Sequence, residues 1–306
     1  MRRFPPAPET AAFANLPVRF VSLDGATRIA VHMRGTLDHG ELPIVCLAGY
    51  HRNMSDFSDF LPLARNILSA TWPIILIDMP GRGRSSDRPI HLYTSVHDAH
   101  AVAAILTSMG VSRAIFLGQS HGGQVIMALT SLRPNLITAA ILIDAGAVAD
   151  PRGLVRMRNN LQHALSAKGK KAGVTSLRQM LSADYPDLDE SRLDALVARA
   201  FIFTGAEQIM PLFDPVLVDR LGQFTVNDVF EARWDLFNGL RAAELMLLRG
   251  QLSDHLRRET FEQMESVRSD AVTFSIPGQG SPALLNGIDE VGAIADFIRY
   301  TQKNRV

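Results

Sequence analysis

The sequence predicts an α/β protein: a mostly parallel sheet with helices on both faces, interrupted by a helical insertion. Three observations predict it. Short apolar, β-branched runs alternate with stretches of helical periodicity, the pattern of parallel strands joined by crossover helices. The alternation stops between Asp150 and Gly239, where amphipathic helical segments follow one another, and then resumes. A glycine-rich stretch, Gly118-Gln119-Ser120-His121-Gly122-Gly123, follows one strand-like run and opens a helical one.

The elements follow in order. Val18 to Ser22 and Arg28 to Met33 read as two strands joined by a turn at Asp24-Gly25. Ile44 to Leu47 is a buried run that ends in Ala48-Gly49. Residues 56–69 place Phe57, Phe60, Leu61, Leu63, Ala64 and Ile67 at helical spacing. Ile74 to Ile77 is a second buried run, ending in Asp78-Met79-Pro80-Gly81. A helix over 95–109 carries Val102, Ile105, Leu106 and Met109 as its stripe. Ala114 to Leu117 is a strand, 121–132 a helix and Thr138 to Ile143 a strand. The interruption offers helices at 151–166, 174–183, 189–203 and 225–239, with no convincing buried strand. Leu245 to Leu248, a helix near 257–266, Val272 to Ile276 and a helix at 288–301 restore the alternation.

Composition bounds the function. The chain has 306 residues, 47% apolar and 20% charged, enough for a full core and far from a disordered composition. Lys plus Arg and Asp plus Glu are both 31, so no basic field favours nucleic acid. One cysteine, Cys46, excludes an intramolecular disulfide. The opening MRRFPPAPET lacks the apolar region of a secretory signal, and the apolar runs fall far short of the ~20 residues of a membrane span. A soluble, cytoplasmic protein is expected, with no membrane partner.

The chemistry concentrates at Ser120. Gly118-Gln119-Ser120-His121-Gly122 fits G-x-S-x-G between a strand and a helix, the setting of a nucleophile elbow. Small residues permit the sharp turn that lifts the hydroxyl out at the sheet's carboxyl edge. The helix N-terminus supplies N–H donors for an oxyanion. The His121 N–H is one candidate donor and the Tyr50 N–H, after the 44–47 strand, is the other. Gly81 to Ser85 looks like a broken dinucleotide loop, but no suitable helix follows it. His97 and His100 share a helix without the pattern of a metal site, so neither metal nor cofactor is expected.

These segments together resemble the α/β-hydrolase superfamily, most closely its cap-bearing bacterial carboxylesterases and carbon–carbon bond hydrolases. The resemblance covers about residues 20–300 and rests on LAGYHRN, D-x-P-G-x-G-x-S from Asp78, GQSHGG and LLRGQLSD at 247–254. It implies a sheet of about eight strands. Residues 1–148 and 239–306 would form the core, and a helical cap at 149–238 would roof the site. It gives the acid role to Asp254, at the end of R-G-x-x-S-D; Asp144 is the fallback. Asp254 rather than Asp144 is therefore expected beside the loop that carries Ser281.

The third triad member departs from the pattern. The family places its histidine in a segment like P-G-x-G-H-x-P, and here Pro277-Gly278-Gln279-Gly280-Ser281 puts a serine there. No histidine follows His255. A hydroxyl with a pKa far above 7 cannot replace imidazole as a general base. His51, on the oxyanion loop, is the leading substitute; His255 neighbours the acid, and His121 should point away along its helix.

Two function classes remain open. One is a serine hydrolase acting on a small ester, thioester, amide or activated C–C bond. The other is a small-molecule-binding protein of the same fold that has lost turnover. The retained serine and acid favour the first, the missing histidine the second. Ser120 excludes chemistry that needs an aspartate nucleophile. Phe201, Phe203, Phe213, Phe224 and Trp234 either line an apolar cavity or form the insertion's own core. Arg152, Arg156, Arg158, Lys168, Lys170 and Lys171 are either a solvated face or an attraction for anions. The expected partner is a small substrate or ligand, and a homodimer is compatible with the sequence.

Overall fold

A computed structural model describes residues 10–304, apart from 26, 168 and 205–207. Most of the N-terminal stretch read above, and Lys168 of the basic run, lie outside the described residues. The chain opens with β1 (Arg19–Ser22) and β2 (Arg28–Arg34), then β3 (Ile44–Leu47), α1 (Phe60–Ile67), β4 (Ile74–Ile77) and α2 (Ser95–Ser108). β5 (Ala114–Gln119), α3 (His121–Leu129) and β6 (Ile137–Ile143) follow. An inserted segment comprises α4 (Pro151–Ser166), α5 (Lys170–Asp184), α6 (Glu190–Ala200), β7 (Phe201–Thr204), β8 (Gln208–Pro211), α7 (Val216–Leu221) and α8 (Trp234–Asn238). The chain closes with β9 (Glu244–Gly250), α9 (Arg258–Val267), β10 (Val272–Ile276) and α10 (Ile288–Asn304).

Eight strands form one sheet in the order β1-β2-β4-β3-β5-β6-β9-β10. β1 and β2 are antiparallel to their neighbours and the rest are parallel. Each central strand is buried on both sides, so its residues divide between two layers. Val45, Leu47, Phe116 and Leu142 pack with Val102 and Ile105 of α2 and Val125 and Ile126 of α3. Ile44, Cys46, Ile115 and Ile141 pack with Phe60 of α1 and Ile294 and Ile298 of α10. This explains why these strands read as continuous apolar runs rather than alternating ones. Pairing aligns Leu47 with Gly118, Gly118 with Leu142, and Ile143 with Leu248. The loops after β3, β5, β6 and β9 therefore leave one carboxyl edge side by side, which is where open α/β sheets collect their functional residues.

The inserted segment packs its own cluster, with Leu161, Leu177, Leu181, Leu196, Phe201 and Leu217 at its centre. It differs from the sequence reading at two points. The helix expected over 189–203 ends at Ala200, and residues 201–204 pair antiparallel with 208–211 as a separate two-stranded sheet. Phe201-Ile202-Phe203 is aromatic and β-branched, a composition that favours strand. The helix expected over 225–239 shrinks to Trp234–Asn238. Upstream, the Asp228 carboxylate accepts from the Thr225 N–H and hydroxyl, a local turn that competes with helix. Leu236 and Phe237 pack in the main core rather than in the insertion's cluster. Among the described residues no helix is long and apolar enough to cross a membrane.

The turn between β5 and α3 is tight. Ser120 sits at φ 48°, ψ −109°, in a region that L-residues rarely adopt. Its N–H donates to the Ile143 carbonyl at 2.7 Å. A Cβ on Gly118 would lie 2.6 Å from the Gly123 nitrogen, and one on Gly122 would run into the Leu47 carbonyl oxygen. Gly122→Ala is therefore expected to push α3 off β3 and to cost about 1–3 kcal/mol, as overpacking of a tight core does. Urea unfolding of the variant beside the wild type measures this.

Candidate active site

Ser120 is the N-cap of α3, so the His121 N–H belongs to the helix's unpaired first turn and points where an anion is favoured. Tyr50, three residues beyond β3, brings its ring edge-to-face with the His121 ring at 5.3 Å. A Cβ on Gly49 would lie 3.9 Å from the Ser120 Cβ, so the loop after β3 borders the serine. Tyr50 and His121 thus flank Ser120.

The imidazole beside the serine is His255, not His51. His255 Nδ1 lies 3.4 Å from Ser120 Oγ. Its Nε2 lies 3.9 Å from Asp254 Oδ1, an oxygen that is buried without a hydrogen-bond partner among the described residues. Hydroxyl, imidazole and carboxylate therefore stand in line, with both separations longer than a strong hydrogen bond. Catalytic contacts often tighten only when substrate binds. The other Asp254 oxygen accepts from Arg156 Nε at 2.5 Å, and Arg156 Nη2 reaches Asp184 at 2.8 Å. Burial works against the Arg156 charge, but these two carboxylates outweigh it and hold its pKa above the usual value. Arg156 is thus a member of the site and not a solvated face. Of the other basic residues, Arg158 donates to the Phe224 carbonyl, while Arg152 is exposed beside Asp150.

Two expectations about the sheet edge are corrected. Asp144, not Asp254, makes the contact with the loop carrying Ser281. Its Oδ2 accepts from the Ala283 N–H at 3.0 Å and its Oδ1 from the Gly250 N–H at 2.9 Å. The reason lies in position: Asp144 follows β6 directly at φ 49°, while Asp254 stands four residues past β9 and is held outward by Arg156. Burial raises the Asp144 pKa, opposed by the Gly250 N–H, the Ser253 hydroxyl, the Ala283 N–H and the charge of His255. The second correction is His51. Its ring packs edge-on against Phe213 at 5.4 Å, and it makes no hydrogen bond to Ser120 among the described residues. Burial holds its pKa well below 6.5, with Arg52, His255 and Arg82 acting in the same direction.

His121 points away from the serine, as the sequence suggests. Its Nε2 lies 2.7 Å from Asp98 Oδ2. Asp98 is fully buried and also meets Arg82 at 3.3 Å and Arg88 at 2.5 Å. Arg82 in turn donates to the Tyr50 carbonyl at 2.7 Å. One buried carboxylate thus ties the two residues proposed to hold the oxyanion. Sequence reasoning passed over Asp98, although it lies four residues before Val102 on the buried stripe of α2, where a charge signals a network.

Two cavities meet at Ser120 and His255. The smaller, about 60 Å³, is lined by Tyr50, His51, Asn160, Tyr185 and Ser281 among others. The larger, about 250 Å³, is lined by Val148, Leu154, Met157, Leu221 and Phe224 with Arg220. Of the predicted aromatics, only Phe224 faces either cavity. Phe201 and Phe213 build the insertion's core, Phe203 packs against it, and Trp234 packs on Phe237. No group of three or more His, Cys, Asp or Glu placed to hold a metal occurs among the described residues. His97 Nδ1 is 2.8 Å from the Thr94 hydroxyl at the start of α2.

His255 carried a signal in the sequence: it stands next to the predicted acid. What the sequence hides is the bend that lets neighbouring side chains act together. Arg249 donates to the Leu256, Gln251 and Ser253 carbonyls and folds the loop back on itself. The backbone of α4 then seats the ring, since a Cβ on Gly153 would lie 2.9 Å from His255 Cδ2.

Comparison with known proteins agrees with this architecture. Residues 43–210 match the family model of the alpha/beta hydrolase fold. A hydrolase of Bacillus subtilis is 28% identical over 127 residues, 42% of this chain and 44% of that protein. The 2-hydroxy-6-oxononadienedioate/2-hydroxy-6-oxononatrienedioate hydrolase of Paraburkholderia phymatum is 26% identical over 184 residues, 58% of this chain and 63% of that protein. The chain thus spans about half the length of the curated relatives it matches. A crystal structure of an alpha/beta hydrolase from Novosphingobium aromaticivorans superposes with a TM-score of 0.78 at 24% identity, covering 93% of this chain and 98% of that one, a likeness of fold.

Two predictions follow from the geometry. Gly153→Ala should displace His255 and lower turnover of an activated ester while leaving the thermal midpoint within a few degrees; steady-state kinetics and a melting curve measure the two effects. The second concerns His51. A histidine whose folded pKa is depressed contributes stability that is complete above its unfolded value of 6.5 and is lost as pH falls toward the folded value. Between pH 7 and 5 the wild type should therefore lose more stability than His51→Gln, as measured by urea midpoints at each pH.

Proposed function

The chain is a member of the α/β-hydrolase fold family, and on that premise we propose that it is a serine hydrolase of small esters, thioesters, amides or activated C–C bonds, with Ser120 as nucleophile and His255 as base. One observation carries the reading: Ser120 Oγ sits at a strained elbow 3.4 Å from an imidazole nitrogen. Ser120 Oγ attacks the carbonyl carbon as its proton passes to His255 Nδ1. The Tyr50 and His121 amides hold the oxyanion, and Asp254 stabilises the imidazolium through Nε2. The bond to the leaving group breaks as that group takes the proton from His255. Water then attacks the acyl-enzyme and gives its proton to His255. Collapse releases the acid and returns the proton to Ser120. The inserted segment serves as a cap, placing Arg156 and Met157 over the serine. The Paraburkholderia relative, a 2-hydroxy-6-oxononadienedioate/2-hydroxy-6-oxononatrienedioate hydrolase, supports a small organic molecule as substrate.

The separations of 3.4 and 3.9 Å, with Ser281 in place of the family's histidine, favour a second reading, a binding protein with little turnover. A fluorophosphonate probe and p-nitrophenyl acetate separate the two. The hydrolase reading expects labelling of the wild type and not of Ser120→Ala. It expects kcat to fall about 10²–10⁴-fold in His255→Ala, the range of a positioned general base, and less in Asp254→Asn. Absence of both labelling and turnover would establish the binding protein. A loss in His51→Ala as large as that in His255→Ala would return the base to His51.

A further inference from the structure

The smaller cavity has a chemistry the reaction scheme does not use. Ser281 is 7% exposed, and its Oγ has no hydrogen-bond partner among the described residues. His51 Nδ1 is buried and unpartnered in the same way, and both residues line this cavity beside Ser120. A buried polar atom left without a partner is destabilising, so such atoms at a cavity wall point to a ligand group that pairs with them. Both tyrosine hydroxyls of the wall are already engaged: Tyr185 donates to the Pro282 carbonyl at 2.7 Å and Tyr50 to the Leu217 carbonyl at 3.2 Å.

Charge excludes a carboxylate as that group. Arg52 is held by Asp56 through contacts of 2.7 and 2.5 Å. Arg156 faces both Asp184 and Asp254. The two guanidinium groups thus meet three carboxylates, and a further anion would be repelled. A neutral hydroxyl fits better, since it both donates and accepts and can serve a serine Oγ and an imidazole nitrogen together. Size sets the rest. At about 10–15 Å³ for each water-sized site, 60 Å³ holds a group of roughly four to six heavy atoms. The larger, mainly apolar cavity has room for a bulkier leaving group.

Building on the serine-hydrolase reading, we propose that Ser281 and His51 form a hydroxyl-recognising acyl subsite, and that the preferred substrates are esters of short 2-hydroxy acids with a larger apolar alcohol. The position at which the family pattern carries a base is here a specificity determinant. The acyl group belongs in this chamber because it stays bonded to Ser120 after the alcohol leaves, where fixed polar contacts hold it for the attack of water.

Phenyl glycolate and phenyl propionate test this, since they differ by a hydroxyl in place of a methyl of similar size. After correction for their hydroxide-catalysed rates, the wild type should prefer the glycolate by about 10²-fold or more in kcat/KM, as sites built around a substrate hydroxyl do. Ser281→Ala should bring that ratio to within about threefold of unity. A wild type that is labelled at Ser120 by fluorophosphonate but shows no preference overturns the subsite and leaves the hydrolase reading standing. So does an unchanged ratio in Ser281→Ala. Preference for a hydroxyl on the alcohol side, tested with 2-hydroxyethyl benzoate against propyl benzoate, overturns the assignment of the chambers. Failure of both labelling and ester turnover removes the hydrolase reading, and the subsite with it.

Discussion

The site depends on how closely α3 lies on β3. Gly122 brings its backbone against the Leu47 carbonyl, where no side chain fits, and Gly118 leaves room for the returning helix. With the helix held there, the chain between β5 and α3 has one residue in which to reverse, and Ser120 takes the positive φ. The strain of order 1–3 kcal/mol in such a residue is sustained by the two apolar layers that clamp β5. The same approach places the start of α3 next to the loop after β3. The position of Ser120 and of both amides proposed to hold an oxyanion thus follows from one packing contact, and no side chain at the site has to create it.

A second constraint is electrostatic. Asp98 is an anion with no exposed surface, surrounded by Arg82, Arg88 and His121. Its burial alone would raise its pKa, but Arg82, His121 and Arg88 together hold it below the usual carboxyl value. Such clusters contribute little net stability, yet removing one member leaves unpaired charge behind. Their value here is geometric. Arg82 reaches the Tyr50 carbonyl and Asp98 fixes the His121 ring, so the residues before and after the oxyanion position are held by the same group. The D-x-P-G-x-G-x-S segment that looks like a poor phosphate loop is, in the folded protein, the source of that arginine.

Much of this was legible in the sequence for identifiable reasons. Strands buried on both faces leave continuous apolar runs, and the limits of β3 and β4 match those read from them. The elbow was legible because its glycines are required by contact. Asp254 was legible as a carboxylate of the site, and the loop after β9 does place it near the imidazole. The pairing of 201–204 with 208–211 was not, because Phe201-Ile202-Phe203 continues the helical stripe of α6 well enough to hide the change of period. His255 was legible only as the neighbour of the predicted acid, because its place beside Ser120 depends on Arg249 folding the loop and on the bare backbone of Gly153, both of which are tertiary facts. Asp144, the fallback acid of the sequence reading, has its two oxygens occupied by the Gly250 and Ala283 amides, contacts that only the folded sheet edge reveals.

That occupation fits the proposal that His255 stands in for the family's histidine. In this chain Asp144 braces the ends of β9 and the 277–285 loop, which is further pinned by Gln119 to the Ala283 carbonyl and by Tyr185 to the Pro282 carbonyl. The loop keeps its shape without an imidazole of its own, so position 281 is free to change. His255 approaches Ser120 from the neighbouring loop with its Nδ1, leaving Nε2 toward Asp254. In the proposed assignment the order serine, acid, histidine along the chain is kept, with acid and histidine as adjacent residues. The fold fixes where the serine and the oxyanion lie, through backbone contacts. The origin of the base is a matter of which loop along the same sheet edge can reach, and two loops here emerge within reach of one serine.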